Sequence, residues 1–123
     1  HHDRFLLIRF TVKLPQNKPR KFALLRALLQ RAGIAYNDYV LGLSGTGAMD
    51  EATLLAAFEQ LPRGVVEMYL HPAVTSGAEV GASMTGYRHA DELAALLSPR
   101  VRAAADRFAP RRGGFTDLHA GLR

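Results

Sequence analysis

The run VVEMYL, residues 65–70, carries a single charge, Glu67, and stops at His71 followed by Pro72. Apolar groups on both alternating faces describe a strand covered on two sides, the situation of a parallel sheet flanked by helices. The residues before it complete the pattern. A short strand over residues 39–43 leads into a loop with Gly42, Gly45 and Gly47. Asp50 then caps a helix, with Met49 and Leu54 at the two positions of a hydrophobic staple. Leu54, Leu55, Phe58 and Leu61 form its buried stripe, and Pro62 with Gly64 ends it. Strand, helix, strand at this spacing is a βαβ unit and predicts an α/β fold. The glycine loop has neither the lysine nor the spacing of a phosphate-binding P-loop, so turn chemistry explains it better.

Outside this unit the signals are local. Residues 4–14 alternate near their end, with Phe10, Val12 and Leu14 on one face, as a half-buried strand would. Pro15, Asn17 and Pro19 break the run, so residues 1–20 read as a leader or linker and residues 21–123 as the main domain. In KFALLRALLQRAG the residues Phe22, Leu25, Leu28, Leu29 and Ala32 predict an amphipathic helix, stopped by Gly33. Beyond His71 come some fifteen residues of loop, too long for a mere connector. A helix then buries Leu93, Leu96 and Leu97. Ser98 and Pro99 end it and start another that carries Val101, Ala104, Ala105 and Phe108 inward. The last segment, FTDL, reads as a short strand.

Composition excludes several classes. The chain has 123 residues, 48% of them hydrophobic, and no apolar stretch near the ~20 residues of a membrane span. Without a recognisable secretory leader, a cytoplasmic protein is the expectation. Zero cysteines remove disulfides, thiolate ligands and cysteine nucleophiles together. The net charge of +5 invites a nucleic-acid reading. However, Lys18, Arg20 and Lys21, the group Arg100, Arg102 and Arg107, and the pair Arg111 and Arg112 lack interleaved aromatics, and no nucleic-acid partner is expected.

The segments LGLSGTGAMDEATLLAAFEQLPRGVVEMYLHPA, GYRHADELAALLSPRVRAAADR and GGFTDL, in this order over about residues 21–118, resemble the C-terminal part of the YdjC-like carbohydrate deacetylases. The closest likeness is to the hopanoid-biosynthesis branch called HpnK. The resemblance implies the C-terminal portion of a (β/α) barrel-like, TIM-type fold. It implies a hydrolase that removes the acetyl group from an N-acetylated amino sugar, or a sugar-linked hopanoid, and depends on a divalent metal, Mg or Zn. The family's aspartate and histidine ligands belong to segments that precede the region matched. This chain is therefore expected to be a fragment, inactive alone, that binds no metal tightly and self-associates through uncovered barrel faces. A peripheral place at the inner membrane fits such a lipid-linked substrate.

His71 is the residue most strongly marked, because carboxyl ends of parallel strands face the active site in such folds. The resemblance puts its imidazole in the pocket, where it protonates the leaving amine or steadies the oxyanion. A histidine satisfied by a loop carbonyl is the plainer alternative. Arg88 and Glu92 match the family's Tyr-Arg…Glu-Leu segment as sugar-binding residues, the competing reading being an i,i+4 ion pair on the helix surface. His89 shows no ligand partner, His119 reads as solvent-exposed, and Asp117 fits either a family segment or a turn cap. Two other classes remain open at this point: a basic nucleic-acid-binding module, and a non-catalytic domain that dimerises.

Overall fold

The computed structural model describes residues 4–10 and 19–117; His1, His2, Val12, Leu14 and His119 lie outside them. Four strands, β1 (Arg4–Phe10), β2 (Tyr39–Leu41), β3 (Gly64–Leu70) and β4 (Arg112–Gly113), form one sheet in the order β2-β3-β1-β4. Every pairing is parallel, with Arg4 opposite Gly64, Tyr39 opposite Val66 and Leu6 opposite Arg112. The α/β expectation therefore holds at the level of a small parallel sheet with helices. Residues 4–10, read above as part of a leader containing a strand, sit inside this sheet between β3 and β4.

The helices are α1 (Pro19–Arg31), α2 (Glu51–Glu59), α3 (His89–Leu97) and α4 (Pro99–Phe108). Asp50 caps α2 as its sequence position demands, its carboxylate accepting from Thr53 N at 3.0 Å. Ser98 does the same for α4, accepting from Val101 N at 3.4 Å, with Pro99 in the first turn. Met49 and Leu54 are both buried.

Alternation along β3 divides the molecule. Val66, Met68 and Leu70 face one side and pack with Leu54 and Phe58 of α2, Ala95 of α3, and Val101 and Ala105 of α4. Each large apolar side chain buried in this cluster contributes about 1.5–3 kcal/mol. The opposite series, Val65, Glu67 and Tyr69, points to the other face and continues into His71. Glu67 and Tyr69 are buried as deeply as the core.

Two expectations need correction, at Leu97 and at the closing strand. Helix α1 forms as the periodicity predicts and stops at Gly33 (φ 67°), and Leu24, Leu25 and Leu28 are 64%, 47% and 53% exposed. Periodicity fixes which side of a helix is apolar and leaves open what covers it. Leu97 is 74% exposed, because the short helix α3 turns Ala95 to the core and carries its last leucine outward. Finally, the closing strand is Arg112–Gly113, while residues 115–117 of FTDL are helical. Asp117 Oδ2 accepts from Gly114 N at 2.7 Å, which makes that aspartate a turn cap.

Candidate functional site

The carboxyl end of β3 meets two loops and the first turn of α3. The glycine loop after β2 approaches closely: Gly42 (φ 97°) leaves no room for a Cβ beside the carbonyl of Tyr69, and Gly47 (φ 79°) leaves none beside the ring of Tyr87. Arg88 N donates to Gly47 O at 2.7 Å and Ala73 N to His89 O at 3.3 Å. Residues 72–88, expected as unstructured loop, fold back through two single 3-10 turns, Gly77–Glu79 and Ala82–Met84.

His71 is 6% exposed and enclosed by rings. Tyr69 meets it edge to face at 4.6 Å and 82°, Tyr87 at 5.0 Å and 63°, and His89 lies at 6.3 Å. Its Nε2 is 3.0 Å from the Tyr69 hydroxyl, while its Nδ1 is buried with no hydrogen-bond partner among the described residues. Burial, and secondarily the neighbouring His89, hold the His71 pKa below the usual 6.5, so the ring is mostly neutral at pH 7.

The first turn of α3 grips the His71 backbone. The carbonyl of His71 accepts from His89 Nδ1, and its N–H donates to Glu92 Oε2 at 3.3 Å. Since a carbonyl only accepts, His89 Nδ1 carries a hydrogen. Glu92 has no exposed surface. Burial raises its pKa above 4.5, outweighing backbone N–H donors from His71 and Met49 and the charges of His89 and Arg88.

The structure thus brings His71 and Glu92 together and separates Arg88 from both. Arg88 turns outward to Asp50 at 3.2 Å and Asp91 at 3.5 Å, so the helix-surface pair with Glu92 does not form. Tyr69 and Tyr87 were not singled out in advance, and His89 was considered but given no role. A signal for His89 existed: with Glu92, Leu93 and Leu96 it follows the i, i+3, i+4, i+7 spacing of the helix side that turns inward.

A model of the YdjC-like protein family matches residues 4–107, and the chain belongs to that family. The family is associated with carbohydrate deacetylase-type hydrolases and is generally metal-dependent. No curated protein and no solved structure matches the chain. Among the described residues, no three His, Asp or Glu side chains come together as a metal-holding group. Around His71, His89 Nδ1 is committed to a carbonyl and Glu92 Oε2 to the His71 N–H, while His71 Nδ1, His89 Nε2 and Glu92 Oε1 are buried without a hydrogen-bond partner among the described residues. These atoms do not converge as a metal-holding group, so the described residues do not form a metal centre. No helix among them is long and apolar enough to cross a membrane.

Proposed function

We propose that this chain is part of a carbohydrate N-deacetylase of the hopanoid-associated branch. Its parallel sheet would be a segment of a (β/α) barrel, and His71 would carry the proton during cleavage of an N-acetyl group from an amino sugar. The divalent ion such enzymes use is, in this reading, held by residues other than those described. The supporting observation is the setting of His71: a neutral, buried imidazole at the carboxyl end of a central parallel strand, with one ring nitrogen engaged and the other free.

A neutral ring suits both halves of amide hydrolysis. As water adds to the acetyl carbonyl, the new C–O bond forms and the water's proton passes to His71. When the C–N bond breaks, that proton passes to the departing nitrogen, giving acetic acid, which ionises to solvent, and a free amine, and restoring the neutral ring. Arg88, exposed at the rim, is the candidate donor to sugar hydroxyls, whereas Glu92 acts on the site through the His71 backbone.

The test is His71→Ala and His71→Gln in the intact protein with metal saturating. Positioned acid–base catalysis is worth about 10²–10⁴-fold, so kcat should fall by that factor while KM changes little. A kcat within tenfold of the parent, or a fall matched by lost folded protein, would return His71 to a structural role.

A further inference from the structure

Residues two apart on a strand present their side chains to the same face. Tyr69 and His71 stand in that relation at the end of β3, and the phenol oxygen lies 3.0 Å from His71 Nε2. Both side chains are buried, at 2% and 6% exposure, and their rings meet nearly at right angles. On the other side, Tyr87 closes on the imidazole at 5.0 Å. A ring held by a hydrogen bond at one nitrogen and walled by two aromatics has one orientation available to it. The opposite nitrogen, Nδ1, is buried and has no partner among the described residues.

We propose that Tyr69 is the positioning residue of this site: it accepts a hydrogen bond from His71 Nε2 and thereby makes Nδ1 the nitrogen that exchanges the proton. The direction of that bond follows from what each choice leaves behind. If the phenol donated to Nε2, Nδ1 would carry a buried hydrogen with no acceptor, which is the rarer kind of orphan. If Nε2–H donates, Nδ1 keeps a lone pair, the form that can take a proton. Once Nδ1 is protonated, the Nε2–H bond to Tyr69 becomes charge-assisted and stronger, so the phenol stabilises the imidazolium more than the neutral ring.

The other titratable groups around His71 do not supply this effect. His89 faces it from α3 with Nδ1–H committed to the His71 carbonyl, and Glu92 holds the His71 N–H. Tyr87, from the preceding loop, contributes the face or edge of its ring. Arg88 is turned to Asp50 and Asp91.

The inference rests on the acid–base role given to His71 above, but its test does not depend on activity. In the 123-residue chain labelled with nitrogen-15, the two His71 ring nitrogens should show a single dominant tautomer with hydrogen on Nε2. Tyr69→Phe should let the tautomers mix and lower the His71 titration midpoint by about one pH unit, as expected for losing a charge-assisted bond. Tyr87→Phe keeps its ring and should leave both readings unchanged. Far-ultraviolet circular dichroism confirms that each variant is folded, and Tyr69→His, which restores a polar group on the strand, serves if the phenylalanine variant is not.

In the intact enzyme, Tyr69→Phe should reduce kcat about tenfold with little change in KM and move the acidic limb of the kcat/KM profile down with the midpoint. A His71 tautomer or midpoint indifferent to Tyr69→Phe, or shifted equally by Tyr87→Phe, overturns the inference and leaves the His71 variants to judge the deacetylase reading separately. Nuclear magnetic resonance results as expected, alongside a His71→Ala enzyme of undiminished kcat, would sustain the hydrogen-bond assignment while overturning its catalytic consequence.

Discussion

Glu92 offers the sharpest energetic test, because its carboxyl is wholly enclosed. Oε2 accepts from His71 N at 3.3 Å, while Oε1 has no hydrogen-bond partner among the described residues. Glu92→Ala strands the His71 N–H at about 1–3 kcal/mol and opens a cavity, for a loss of about 2–4 kcal/mol. That is a large part of the ~5–15 kcal/mol available to a domain. Glu92→Gln retains an oxygen for the same donor and should cost less than about 1 kcal/mol at acid pH.

The pH dependence separates the charge from the shape. Burial raises the folded-state pKa of Glu92 above the ordinary 4.5, so the folded protein binds this proton more tightly than the unfolded chain does. The stability it confers is complete below 4.5 and is lost as pH rises through the folded value. Glutamine cannot ionise. Wild type should therefore lose ground to Glu92→Gln as pH climbs from about 4.5 toward neutrality, read as the difference between their urea midpoints at each pH. The titration of His71 is common to both proteins and largely cancels in that difference. A difference that stays flat over the whole range would refute a raised carboxyl, and a Glu92→Ala loss under about 1 kcal/mol would refute the clamp.

Gly42→Ala should destabilise by more than about 2 kcal/mol, since it combines a positive φ with a Cβ driven against the Tyr69 carbonyl; thermal unfolding measures it. Asp50→Ala removes the cap of α2 and the exposed contact with Arg88, and should cost about 1 kcal/mol by urea unfolding, most of it recovered by Asp50→Asn.

What could be read from the sequence was what neighbours in the chain decide. The Asp50 cap, the Met49 and Leu54 pair, the Ser98-Pro99 junction and the β3 run each depend on residues a few positions apart, and each is found. What could not be read depends on a surface brought from elsewhere. The α1 periodicity is real, yet whether Leu25 and Leu28 are covered is a matter of partners. Arg88 and Glu92 have the spacing of a surface ion pair, but α3 packs so that Glu92 is enclosed and Arg88 reaches Asp50 across 38 positions of chain. His71 stood out because a strand visibly ended there. The hydroxyl that holds it belongs to a residue that read only as strand filling, since aromatic residues are common in strands for packing alone.

The strand order also governs when the sheet can assemble. In β1, Arg4 lies opposite Gly64, so β1 waits for sixty further residues before the partner on that side exists. At about 5–20 residues per second, synthesis alone leaves its edge without that neighbour for some 3–12 s. Closing such a span also brings the loop-entropy cost that slows non-local parallel pairing. The β1–β3 pairing at the centre of the sheet thus cannot form before β3 is made, and during this interval the uncovered edge of β1 is open to capture by chaperones or by another unpaired edge.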